Sequence, residues 1–203
     1  MSRLVEVNYW AEGPTDRAVA RRLIVEAGGV PGPDYSKRRG ATPGKDHLDA
    51  RLPSFNSAAR FSPWLVLRDT DGQCAMTLVE HLLPHHSEKM CLRLVVPTVE
   101  AWLLADRQAI AEFLHVDPAV VPRSPEAIVG LKDYVVGLAK RSRSRDVRSD
   151  LLPSRDGGRR HGPGYSQRLI DFAVRHWNPS TARNNSQSLS RAIERLTQLV
   201  SSC

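Results

Sequence analysis

Apolar and polar residues alternate from Leu4 to Tyr9, with Trp10 beside them, and then meet Gly13-Pro14. From Thr15 to Ala27 the spacing becomes helical, with Ala18, Val19, Arg22, Leu23 and Glu26 in step. Period two followed by period 3.6 across a Gly-Pro break predicts strand, tight loop and helix. Gly28 to Lys45 is rich in Gly, Pro and basic residues, including Lys37, Arg38 and Arg39, and reads as a surface loop. A short helix is expected around His47 to Arg60.

Trp64-Leu65-Val66-Leu67 is a continuous apolar run of the kind that forms a strand buried on both faces, and it ends directly in Arg68-Asp69-Thr70-Asp71-Gly72. Helical spacing returns from Cys74 to Leu83 and stops at Pro84, and Met90 to Val96 gives a further strand closed by Pro97. Thr98 to Leu114 reads as one helix with Thr98 as its N-cap and Trp102 in the core. This order predicts an α/β fold with a largely parallel central sheet, flanking helices and right-handed crossovers.

Beyond Asp117 the character changes. A helix is expected from Leu131 to Lys140, then a flexible, arginine-dense segment from Arg141 to Arg160 that runs into the Gly/Pro cluster of Gly157 to Gly164. Two amphipathic runs, Tyr165 to His176 and Ser186 to Val200, close the chain as helices, the second with Ser186 and Ser188 available for capping. The expected organisation is a core over residues 1–116 and a mainly helical extension with a basic loop over 117–203, packed together as one domain.

A length of 203 residues suits one such core. No apolar run approaches the roughly 18 residues needed to cross a bilayer, and the first residues turn polar too soon for a signal peptide, so no membrane association and a cytoplasmic location are expected. Cys74, Cys91 and Cys203 are widely separated and form no Cys-x-x-Cys pair, which fits buried small hydrophobes plus a tail thiol. The net charge of +7 favours polyanionic partners, DNA or RNA among them. Arg141, Arg143, Arg145, Arg148, Arg155, Arg159 and Arg160, with His161, are the densest basic tract. They suit phosphate contact, or equally a solvated loop, and the scarcity of aromatics argues against base stacking.

Open parallel sheets build their sites at the carboxyl ends of the strands, where Glu12, Asp69, Asp71 and Glu100 all fall. Mg²⁺ takes hard oxygen ligands and is held by one or two carboxylates plus substrate phosphate oxygens. In an extended chain Asp69 and Asp71 project to one side while Thr70 points away, so the pair can grip one ion with Glu12 beside it. Asp-Thr-Asp-Gly is also good turn chemistry, and the Glu12 loop is also a helix start, with Thr15 as cap and Asp16 facing the dipole. Arg68 either holds a scissile phosphate or pairs Asp69, and Glu100 is either a further ligand or a helix N-terminal acid. His81, His85 and His86 are placed at the end of a helix without metal-ligand spacing.

Glu12-Gly13-Pro14-Thr15-Asp16 followed by Asp69-Thr70-Asp71-Gly72 resembles the metal-binding signature of Toprim domains. Val96-Pro97-Thr98-Val99-Glu100-Ala101-Trp102-Leu103-Leu104-Ala105-Asp106 resembles the signature of a Toprim-related bacterial family called domain of unknown function 4276, with later landmarks at Gly162-Pro163-Gly164-Tyr165, Trp177-Asn178-Pro179 and Ser186 to Ala192. The resemblance spans nearly the whole chain. It implies a nuclease with Mg²⁺, or Mn²⁺ in its stead, at Glu12, Asp69, Asp71 and Glu100, with Arg68 and the tract arginines on nucleic acid and water as the nucleophile. It also implies a phage-defence setting beside an ATPase of the ABC or Old-type class. The alternative is a noncatalytic adaptor or regulatory subunit of such a complex, and a weaker one a domain that binds and hydrolyses free nucleotides.

Overall fold

Trp64 to Leu67 have apolar side chains on both sides of the strand, and they fold as the sheet's centre: all four are buried. The computed structural model describes residues 4–35, 44–154, 158 and 160–203. Within them the chain runs β1 (Glu6–Ala11), α1 (Pro14–Glu26), β2 (Val30–Asp34), α2 (Lys45–Ala58), β3 (Trp64–Asp69), α3 (Ala75–Leu82) and β4 (Met90–Val95). It continues through α4 (Val99–Ala105), α5 (Arg107–Leu114), α6 (Leu131–Lys140), α7 (Arg145–Leu151), α8 (Tyr165–Arg175), α9 (Pro179–Ala182) and α10 (Gln187–Ser201). The strands form one parallel four-stranded sheet in the order β2-β1-β3-β4. This is the expected α/β architecture, with helices on both faces and a helical C-terminal extension.

The two faces differ in what covers them. Trp10, Trp64, Val66, Met90 and Leu92 pack with Leu48, Leu52 and Phe55 of α2. The Phe55 ring sits 4.9 Å from both the Trp10 and the Trp64 rings. On the other face Val7, Tyr9, Ala11, Leu65, Leu67, Cys91 and Val95 join a larger cluster that takes in α1, α4 to α6, α8 and α10, as far as Leu199. Each fully buried aliphatic or aromatic side chain stabilises the fold by about 1.5–3 kcal/mol, so the helices after residue 116 are part of the same apolar core as the sheet. No helix among the described residues is long and apolar enough to cross a membrane.

Several expectations need correction. The stretch read as a loop from Gly28 contains β2, an edge strand. The Val30 N–H donates to Val5 O at 2.8 Å, so residue 30 turns its backbone toward β1 and Pro31 turns away, after which the register slips to place Asp34 opposite Tyr9. Proline costs no ladder hydrogen bond there. Lys37, Arg38 and Arg39 lie outside the described residues.

The helix expected over Thr98 to Leu114 is two, broken at Asp106, whose buried carboxylate accepts the Asn178 N–H at 2.9 Å. Asn185 Nδ2 donates to Ala105 O at 2.9 Å and Trp177 Nε1 donates to Trp102 O at 3.1 Å. Donors from the end of the chain thus take over carbonyls that a continuing helix would have used. The Arg141–Arg160 segment is not simply flexible, since it holds α7, capped by Ser144 and anchored by buried Val147 and Leu151. Ser188 does not cap α10; Ser186 does, accepting the Leu189 N–H at 3.2 Å. Cys91 is buried, whereas Cys74 is exposed like Cys203.

Candidate metal centre

β1 and β3 are adjacent and parallel, so their carboxyl ends bring Glu12 and Asp69 together: the Asp69 N–H donates to Glu12 Oε1 at 3.2 Å. Asp16 lies in the first turn of α1 and is buried. Its carboxylate reaches back over Gly13, where a Cβ would stand 2.7 Å from Asp16 Oδ2, so a side chain at position 13 would have to displace the Asp16 carboxylate. Glu100, in the first turn of α4, is buried too. Thr98 Oγ1 donates to Glu100 Oε2 at 2.7 Å instead of capping the helix, and the Tyr165 hydroxyl donates to Glu100 Oε1 at 3.2 Å.

The four carboxyls load one another. Burial, then Asp16, Glu12, Glu100 and Asp71, push Asp69 up to about 9. Burial raises Glu12 to about 7 against the pull of Arg68, with Asp16 and Asp71 adding to the rise. Burial raises Asp16 to about 6, with Glu100 adding to the rise while its own N–H and Lys132 oppose it. Burial and the Glu100 carboxylate hold the Tyr165 phenol above its usual range. Asp69 Oδ1 is buried without a hydrogen-bond partner. Unsatisfied acceptors of this kind are rare inside proteins and mark either strain or a place for a proton or cation.

Arg68 is 4% exposed and central to the charge balance. Its guanidinium grips Asp49 through Nε to Oδ1 at 3.0 Å and Nη2 to Oδ2 at 3.1 Å. It stands 3.4 Å from Glu12 Oε1 and 3.8 Å from Asp71 Oδ2, and it donates to the Asp69 backbone carbonyl. Burial works against its charge, yet Asp49, Glu12 and Asp71 hold it above its ordinary range. Arg68 therefore pairs Glu12 and Asp49, not the Asp69 carboxylate.

Asp71 departs from the expected geometry. The chain leaves the strand at Asp69, and Asp71 has a φ of 50°. Alternation no longer applies: Thr70 is fully buried, its hydroxyl donating to Pro97 O at 3.3 Å, while Asp71 turns outward to Lys45 Nζ at 2.9 Å. Asp69 and Asp71 do not form the same-side pair of an extended Asp-x-Asp. As the side chains stand, no group of three or more His, Cys, Asp or Glu among the described residues is arranged to hold a metal ion.

Beside the acids opens a cleft of about 920 Å³. Thr70, Asp71 and Pro97 line it together with Ile128, Val129, Lys132, Arg160 and His161, whereas Glu12, Asp16, Asp69 and Glu100 do not. Of the tract arginines, Arg160 lines the cleft, with Asp133 at 3.9 Å; Arg141, Arg143 and Arg145 are exposed around the turn into α7 and do not line it. Arg155 and Arg159 lie outside the described residues. Asp49 and Lys132 are site residues that sequence patterns did not single out, and Asp16, the last residue of the Glu12–Asp16 motif, was read as a helix-start acid and not as part of the carboxylate cluster.

Fold and site together define a parallel α/β protein with a buried carboxylate cluster at the carboxyl edge of its sheet. No family model, no curated protein and no solved structure matches the chain.

Proposed function

We propose that this protein is a Mg²⁺-dependent nuclease of Toprim type that hydrolyses phosphodiester bonds in DNA or RNA, a phage-defence effector beside an ABC or Old-type ATPase. The observation that carries the reading is the unpartnered, buried Oδ1 of Asp69 amid Glu12, Asp16 and Glu100, an all-oxygen donor set suited to a hard cation. Asp69 and Glu100 would hold the ion, with Asp71 at the rim and Glu12 beside them as general base or as ligand to a second ion. Bound there, Mg²⁺ supplies Lewis acidity toward a phosphate oxygen and offsets the carboxylate charge.

The protein's own groups do the rest. Glu12, raised to about 7, is matched to take a proton from water near neutral pH, and Arg68, clamped by Asp49, orients it. Lys132 and Arg160 draw a phosphate into the cleft. The reading is tested by Mn²⁺ calorimetry on the wild type and on Asp69→Ala/Asp71→Ala, followed by cleavage assays on DNA and RNA. Binding lost in the double variant and metal-dependent cleavage are expected; no binding at millimolar metal overturns it.

A second reading, a noncatalytic adaptor of the same complex, is favoured by the internal cations: Arg68 and Lys45 already pair Glu12, Asp49 and Asp71. Metal binding absent while an ATPase partner co-purifies would support it.

A further inference from the structure

We propose that β4 and α10 carry a site for the phosphate backbone of nucleic acid, built from Arg93, Arg191 and Arg195 at the outer margin of the sheet. It is separate from the acidic cluster and stands whether or not the acids hold a metal. β4 is an edge strand, paired with β3 on one side only. Arg93 lies in its middle, on the face shared with Cys91 and Val95, against which α10 packs. Arg191 and Arg195 are one turn apart on α10 and so share a stripe of that helix.

The three guanidiniums are neighbours without counterions. Burial, then Arg195 and Arg191, hold Arg93 below its ordinary range, with Cys91 and Glu194 opposing them. Among the described residues none of the three pairs a carboxylate. Glu194, the acid beside them, is already taken by Arg183 Nη2 at 2.7 Å and Ser190 Oγ at 2.8 Å. Arg93 Nε is buried with no hydrogen-bond partner. Arg68 shows the contrast: that guanidinium, also on a sheet strand, grips Asp49 with two nitrogens and serves the fold. Arg93 meets other cations instead, an arrangement that an oxyanion relieves through charge-assisted hydrogen bonds.

The surface beside the three arginines is held in place. Asn56 Nδ2 donates to His85 O at 2.9 Å, and Asn56 Oδ1 accepts the Ser87 N–H at 2.7 Å, which pins the loop before β4 to the end of α2. Arg195 Nη2 donates to Glu88 O at 3.1 Å and joins α10 to the same loop. Arg60, His86 and Lys89, with Glu88 as the acid among them, line a hollow of about 390 Å³ there, at the amino ends of β3 and β4. Desolvation, then Arg195 and Arg93, hold the His86 imidazole below its ordinary range, which places it within reach of the arginines' field. The cationic surface thus runs from α10 around the margin of the sheet. A repeating polyanion fits such a row, and guanidinium contacts to its phosphates fix the backbone without reading bases.

The experiment follows fluorescent DNA and RNA oligonucleotides of one sequence by anisotropy across a salt series, in chelator so that no metal takes part. Wild type is compared with Arg191→Gln/Arg195→Gln, with Arg93→Gln, and with Arg51→Gln/Arg123→Gln, which removes two exposed arginines outside the cluster. In the cluster double variant Kd should rise by about 10-fold or more and the slope of log K against log salt should shrink by about 2, against less than a few-fold and no change of slope in the control. Arg93→Gln should shrink the slope by about 1 while its Tm without nucleic acid stays at or above that of wild type, because the change removes a like charge. Equal losses in cluster and control variants would reduce the attraction to net charge and overturn the proposal, as would undiminished binding in the cluster variants or a wild type that binds neither oligonucleotide. Displacement by polyglutamate as readily as by unlabelled nucleic acid would assign the surface to an acidic protein and overturn it too. None of these outcomes involves metal or turnover, so this proposal and the nuclease reading fail separately.

Discussion

Replacing Asp69 by Asn keeps the shape of the side chain and removes its proton chemistry, and the structure sets the sign of the result. The folded carboxyl titrates at about 9, because of burial and the surrounding acids, against an ordinary value of 3.8. A raised acid contributes stability that is fully present below its unfolded value and is lost as pH climbs through the folded one. Between those limits each pH unit costs the metal-free protein about 1.4 kcal/mol through this group. From pH 5.5 to 7.5 the wild type should therefore lose about 3 kcal/mol that Asp69→Asn does not lose, so the variant becomes the more stable protein at the higher pH. Urea denaturation in chelator at the two pH values reads the difference, with equal m-values showing that the unfolded states are comparable. Saturating Mg²⁺ should reverse the order, since an ion held at about one hundred times its Kd adds about 2.7 kcal/mol to the wild type alone. Parallel pH dependence in the two proteins, or an Asn variant weaker than wild type at pH 7.5 without metal, would refute the reasoning.

Arg68→Met leaves Asp49 and Glu12 without their buried partner and should lower stability by about 3 kcal/mol, read by chemical denaturation at pH 7. Gly162→Ala forces a methyl group against the Asp150 and Leu152 carbonyls and should cost about 3 kcal/mol, seen as a lower Tm.

Much of the sheet was legible because its inner strands carry their own instructions. Leu4 to Tyr9 alternates, and Trp64 to Leu67 is apolar throughout, as two-faced burial requires. β2 escaped because Pro31 and Pro33 read as loop chemistry, and only pairing with β1 on one side makes them harmless. The break at Asp106 depends on Asn178, Asn185 and Trp177, more than seventy residues away, which no local pattern encodes. At the site, the junctions carrying Glu12 and Asp69 were visible as acids after strands. Asp16 was not, because a helix-start acid has a sufficient local explanation, and Asp71 was misjudged because alternation stops where φ turns positive.

β2 also bears on how copies of the chain meet one another. A free sheet margin normally offers alternating donors and acceptors to any passing extended peptide, the route by which proteins are recruited into fibrils. Here positions 31 and 33 are imino acids, so neither offers an incoming strand an amide hydrogen. Even at high protein concentration that margin is a poor template for strand addition, which leaves this protein free to crowd without polymerising along β2.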